Sequence, residues 1–188
     1  MGMGLFEFIM VIMSIIIGLG IAELLSGLAR TLQHRASVHI YWVHLLLTSV
    51  VFLALIQQFW EAWSLRDVSG WTIGGLLHFL GAPICLYLCA KLLFPDTAGS
   101  VDFEKHYYGD MRPVWLLLGL ANILATTFRP IAFEESLVSV DNATSLIFLI
   151  AVPLLWLTQN RMVHALAVSV ALVLVLGDIV IWTGEIES

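Results

Sequence analysis

Three acids, an amide and two histidines stand inside otherwise apolar stretches of the chain: Glu23, Glu61, Asp178, Gln58, His44 and His78. An ionisable side chain at mid-bilayer costs about 2.5–3.5 kcal/mol on insertion scales, so each such residue calls for a partner, a wet cavity or a pathway for protons, ions or small polar solutes. At helical spacing Glu23 shares a face with Gly20, Gly27 and Arg30. His44, Thr48, Gln58 and Glu61 fall along one broad face, with Gln57 beside it, as a polar stripe through an apolar helix. His78 recurs with Gly74, Gly81 or Ala82, Cys85 and Cys89 at steps of three or four, a histidine over a small-residue groove, and Pro83 predicts a kink there. His164, Ala171 and Asp178 sit seven apart in a nearly straight line, and Asn122, Thr126, Thr127 and Pro153 add weaker polar or helix-breaking signals. The expected chemistry is passage, with Glu23, Gln58, Glu61, Asp178, His44 and His78 lining the route.

Other chemistries find less support. The chain has no phosphate-binding Gly-Lys-Ser/Thr loop, no His-Glu-x-x-His and no nucleophile elbow, so no enzyme is expected. Cys85 and Cys89 lack further ligands at zinc spacing, and no disulfide is expected between them. His44 and His164 come at similar depth near one membrane surface, which leaves a bis-histidine b-type haem geometrically open behind the leading expectation of no cofactor. A net charge of −6 without a basic patch argues against nucleic acid.

The elements that must position these residues follow from composition. Of 188 residues, 60% are hydrophobic and 12% charged, against about 45–50% and about 25% in soluble domains. That excludes a soluble single domain, a disordered chain and a disulfide scaffold. A helix needs about 20 apolar residues to cross a bilayer, and six runs approach that length: 8–29, 41–63, 71–94, 113–128, 143–158 and 162–182. The expected fold is all-α, one polytopic domain over residues 1–188 with six transmembrane helices and a long loop, 95–112. The fourth and fifth runs are short, at about 16 residues, and a re-entrant hairpin is the alternative for the fifth.

Loop charge sets the expected orientation, because Lys and Arg are retained on the cytoplasmic side. With the N-terminus outside, the inner loops hold Arg30, Arg35, Lys91, Lys105, Arg112 and Arg161, and the outer ones Arg66 and Arg129. Both termini are thus expected outside a plasma membrane, that of a bacterial inner membrane. Tyr41, Trp42, Tyr107, Tyr108, Trp115 and Trp156 are expected in the inner aromatic belt; Trp60, Trp63, Trp71 and Trp182 in the outer. The first run lacks a basic n-region and a cleavage site, and Phe6 stands where myristoylation wants Ser or Thr, so that run is expected to be a permanent span. Asn142-Ala143-Thr144 matches a glycosylation acceptor, a cheap three-residue match.

Two patterns concern assembly. Ser14, Gly18, Ala22 and Ser26 recur every four residues, a small-residue stripe of the kind that lets helices approach closely. Together with Gly20 and Gly27 it predicts helix packing and self-association. An offset of 96 sets Thr48, Ser49, Phe52, Leu53 and Trp60 on Thr144, Ser145, Phe148, Leu149 and Trp156, which raises a 3+3 inverted repeat of the kind transporters use. The resulting expectation is a channel or secondary transporter for protons or another small ion or solute. The alternatives are an accessory subunit bound to another membrane protein, and a haem or quinone electron carrier.

Overall fold

The computed structural model describes residues 4–66, 68, 70–95, 101–133, 136–137 and 143–184. Their order is α1 (Leu5–Gln33), β1 (Val38–His39), α2 (Trp42–Glu61) with a 3-10 turn at Ala62–Leu65, α3 (Ile73–Leu93), β2 (Val101–Asp102), α4 (Phe103–Gly109), α5 (Arg112–Phe133), α6 (Ala143–Leu157) and α7 (Arg161–Gly184). Five of these helices, α1, α2, α3, α5 and α7, are long and apolar enough to cross a membrane. The fifth expected span is α6, whose 15 residues make about 22 Å of helix, short of a 30 Å core. Polar residues mark the starts of several helices. Thr72 Oγ1 accepts from Gly75 N at 3.0 Å ahead of α3, Asp102 Oδ1 accepts from Glu104 N and Lys105 N at 3.1 Å ahead of α4, and Asn160 Oδ1 accepts from Met162 N at 2.9 Å ahead of α7.

Contacts at the helix ends show that the long elements alternate in direction. Phe6 at the start of α1 meets Trp63 beyond α2, with ring centroids 6.3 Å apart. Trp71, ahead of α3, stacks on Phe128 near the end of α5 at 5.9 Å. At the opposite end β1 and β2 pair in parallel, Val38 with Val101 and His39 with Asp102, tying the exits of α1 and α3 together. Helix α6 runs antiparallel to α7, and a hydrogen bond joins them near each end: Thr144 Oγ1 to Asp178 Oδ1 (3.1 Å) and His164 Nε2 to the Thr158 carbonyl (2.9 Å). Arg30, Arg35, Lys91, Lys105, Arg112 and Arg161 consequently gather at the α4 end, with Arg66 and Arg129 at the other.

The principal packings, α2 on α3, α3 on α5, α5 on α6, α6 on α7 and α7 on α2, close a ring, and α1 lies outside it against α2 and α3. Ile9, Met13, Ile17, Gly20, Leu24, Gly27 and Thr31 form the buried stripe of α1. The Phe94 ring occupies the space where a Gly27 side chain would stand, and Leu55 Cδ1 lies 3.0 Å from the place of a Gly20 Cβ. Gly20 and Gly27 are therefore packing residues within the chain. Ser14, Gly18, Ala22 and Ser26 instead lie on the exposed side of α1, and nothing lies within 4 Å of where a Gly18 side chain would begin. The helix continues through Pro83, so the expected kink does not interrupt α3.

The long loop departs most from expectation. Within it, β2 and α4 fold back on the bundle and draw Tyr107 and Trp115 inward, to 2% and 4% exposure, where a headgroup belt would leave them outside. The cause is local: the Tyr107 ring packs edge-on against Tyr41, Tyr108, Trp115 and His164, a cluster that buries more than the interface could. Trp42, Trp60, Trp63 and Trp156 are exposed, whereas Trp71, expected in the outer belt, is half-buried against Phe79 and Phe128. The Trp182 side chain and Asn142 lie outside the described residues. The ring does not reproduce the expected repeat: α1 packs along α3, yet the equivalent α5–α7 pair is not among the principal contacts. Thr48 is buried with its hydroxyl on the His44 carbonyl (2.8 Å), whereas its counterpart Thr144 reaches Asp178.

Candidate functional site

Inside the ring, α2 has no principal packing against α5 or α6, nor α5 against α7, and a cavity of about 160 Å³ fills the space between them. Its walls explain why it is not closed. Ala54, Ala121, Ala125, Ala151, Ala167 and Ala171 stand where a filled core would carry Leu or Ile. Residues of all five ring helices line it, Leu86 being the contribution of α3.

The two ends of the cavity differ in chemistry. Toward the end away from α4, Gln57, Gln58 and Glu61 of α2, Asn122 of α5, Thr144 and Ser145 of α6 and Asp178 of α7 converge. Gln57 Nε2 donates to Glu61 Oε1 at 2.9 Å, and Thr144 Oγ1 donates to Asp178 Oδ1 at 3.1 Å. Glu61 is within electrostatic reach of Asp178 and of Arg129 in α5. Asn122 Oδ1 is buried and has no hydrogen-bond partner among the described residues.

Toward α4 the walls are apolar, with Leu47, Leu155, Ala167 and Val168 leading to Trp115. Behind Trp115 lies His164, with ring centroids 5.6 Å apart. Because the Thr158 carbonyl can only accept, His164 Nε2 is the protonated nitrogen, and in the neutral ring Nδ1 accepts from Tyr107 Oη at 3.0 Å. Burial, with Tyr108 and Tyr41 nearby, holds the Tyr107 phenol well above its ordinary range, so it stays a donor. The Arg161 guanidinium on Glu104 (2.7 Å) and the Tyr41–Tyr108 hydroxyl pair (2.9 Å) fix α4 over this floor.

Of the residues expected along one route, the fold brings together Gln58, Glu61 and Asp178. Glu23 lies outside the ring, where Lys91 Nζ donates to its two oxygens at 3.2 and 3.3 Å across the α1–α3 contact. His78 ties α3 to α5: its Nε2 proton forks between the Leu124 carbonyl and Thr127 Oγ1, both at 3.1 Å, while Thr127 donates its own proton to Ile123. His44 Nε2 donates to the Leu93 carbonyl (2.8 Å) and His106 Nε2 faces that of Leu92 (3.3 Å), so the two rings serve carbonyls that the end of α3 leaves unpaired. Nε2 of His44 and both nitrogens of His164 are thus engaged by the protein, while His44 Nδ1 is buried without a partner among the described residues.

Asn122, Gln57, Thr144 and Ser145 are only weakly legible in the sequence, and the cavity itself is not, since alanine is an ordinary residue in any helix. Pairs at i, i+4, Ala121–Ala125 and Ala167–Ala171, carry the one readable signal. In comparisons with protein-family models, curated proteins and solved structures, the chain matches none.

Proposed function

We propose that this is a small integral membrane channel or secondary transporter for protons or another small ion or solute, and that the ring cavity is its binding chamber. The observation that carries the reading is the convergence of Gln58, Glu61, Asn122 and Asp178, from three helices, on one cavity within an otherwise apolar bundle. Carboxyl groups in a membrane interior are costly and rarely placed without a pathway or partner to use them. In this reading α6 completes six crossings. The α4 end, with six cations, faces the cytoplasm of a bacterial cell, and both termini lie outside. Tyr107, His164 and Trp115 then form a cytoplasmic floor, and Glu61 and Asp178 meet the solute from the outer half.

The test is proton and cation flux into liposomes holding the purified protein. Glu61→Gln and Asp178→Asn should each lower flux at least about tenfold, the loss expected when a charge-assisted interaction worth about 1.5 kcal/mol or more is removed. Glu23→Gln, outside the ring, should leave flux within about twofold of the parent. Unchanged flux in both cavity variants, each shown to be folded, would sink the reading. A second reading, an accessory subunit or a self-associated bundle, draws on the exposed Ser14, Gly18, Ala22 and Ser26. It predicts a stoichiometric partner, or a second copy of the chain, retained after mild detergent extraction.

A further inference from the structure

The chamber is closed toward α4 by a short stack of rings. Leu47, Trp115, Leu155 and Val168 on that side are buried, whereas Gln58, Thr144 and Asp178 at the other end are only partly so. Behind Trp115 comes Tyr107, also buried, with ring centroids 6.0 Å apart, and behind Tyr107 come Tyr41 and Tyr108, both partly exposed. The barrier between chamber and surface is thus thin at this end. Its outer part is also lightly attached. The seven residues of α4 make their principal contacts with α2 and the two short strands, not with α5 or α7. Across to α7 the attachment is two polar links: Tyr107 Oη donates to His164 Nδ1 at 3.0 Å, and Arg161 pairs with Glu104 at 2.7 Å. The Arg161 side chain is exposed, and an ion pair in that setting holds weakly. Phe103 and Met111 on either side are buried, Phe103 against His44 and Phe94, so the backbone is anchored at both ends and the tyrosine rings between them are the part that can move.

A chamber that carries a solute across has to open at each end in turn. We propose, resting on the chamber reading above, that Tyr107 is the gate on the α4 side: its ring plugs the floor behind Trp115, and its hydrogen bond to His164 latches it shut. With the bond broken, the ring swings off Trp115, which loses its backing, and the chamber joins the surface. The latch sits on α7, the helix that also carries Asp178 about 21 Å away. One rigid element therefore reaches from the polar end of the chamber to the gate.

The test reads access to the chamber and not flux. Ala167→Cys places a thiol on the chamber wall one helical turn from His164. The probe is a membrane-impermeant, positively charged methanethiosulfonate, applied to the α4 face in inverted vesicles and to the opposite face in right-side-out ones. The chain without Ala167→Cys, whose Cys85 and Cys89 are buried, gives the background. With Tyr107 in place the thiol should react more slowly from the α4 face than from the other. Tyr107→Phe, which keeps the ring and loses the latch, should raise the α4-face rate about fivefold, the factor that one ordinary hydrogen bond makes in an equilibrium. Tyr107→Ala, which removes the plug, should raise it further, and the rate from the opposite face should not change in either variant. An α4-face rate that neither variant raises overturns the proposal, and so does one that rises equally from both faces, the mark of a bundle that has merely loosened. If the α4-face rate stays fixed while liposomes still pass protons or cations in a Glu61-dependent way, the gate falls and the transport reading stands. If Tyr107→Phe opens the α4 face but liposomes holding the parent pass no cation, the gate stands as the door of a chamber and the transport reading falls.

Discussion

At the cavity floor two effects hold the proton on Tyr107. Burial disfavours the phenolate, and the neighbouring hydroxyls of Tyr41 and Tyr108 disfavour it further, raising the folded value above the ordinary one. A group whose value is raised on folding contributes stability that is complete below its unfolded value and is lost as pH climbs through the folded one. The bond to His164 should therefore be fully present at pH 7 and decline only above about pH 10, where the unfolded tyrosine ionises. Tyr107→Phe leaves His164 Nδ1 without its donor and should cost about 1–3 kcal/mol. In thermal melts the variant should trail the parent by a constant margin from pH 7 to about 9.5, and the margin should narrow beyond about pH 10. A gap that closes near neutrality would mean that the bond is not made by a protonated phenol. The sequence offered Tyr107 and Tyr108 as belt residues because spacing alone cannot show a loop folding back; α4 turns on the Asp102 cap, legible as an acid ahead of a short helical run only once the helix is known.

Among elements, α1 presents two faces of small residues with opposite fates. Gly27 is filled by the Phe94 ring at the end of α3, and nothing lies within 4 Å of where a Gly18 side chain would begin. Gly27→Leu should push α1 off α3 and destabilise the chain by about 1–3 kcal/mol through overpacking, whereas Gly18→Leu should leave the melting temperature within about 1 °C of the parent in monomeric preparations. If the outward stripe is a self-association face, Gly18→Leu should also lower the particle mass seen by light scattering in detergent, and an unchanged mass would remove that role. Both faces were visible in the sequence as repeats of four and seven. Which one met the rest of the chain was not, because Gly20 and Gly18 differ by two positions and by no chemistry; Leu55 and Phe94, far along the chain, make the choice. The span lengths read more directly, since five of six runs overlap long apolar helices; the fourth, expected to be short, extends through Arg129 and Pro130 to Phe133, and the short fifth run is short in the fold as well.

For the whole molecule, the decisive feature is an absence of packing, and an apolar void in a bundle is costly by roughly 24 cal/mol per Å³. Six alanines along the ring maintain that void. Gln58, Glu61 and Asp178 could be singled out in the sequence as acids and amides misplaced in apolar runs, but their convergence depends on which helices neighbour which, and α7 packing on α2 places Asp178 near Glu61. Glu23 carried the same signal and is used by Lys91 instead, so burial of a charge announces a partner without telling which. If the void is a defect of packing, filling it should help the protein and harm nothing. If it is a chamber, filling it should raise stability and remove function together, the trade expected where a site is kept open against the interest of the core. Ala125→Leu and Ala171→Leu, on different walls, should each raise the melting temperature by an amount corresponding to about 0.5–2 kcal/mol, and each should abolish flux in liposomes while the raised melting temperature shows the bundle intact. A variant that is more stable and equally active would make the alanines incidental; a more stable and inactive one would identify the space itself as the functional part.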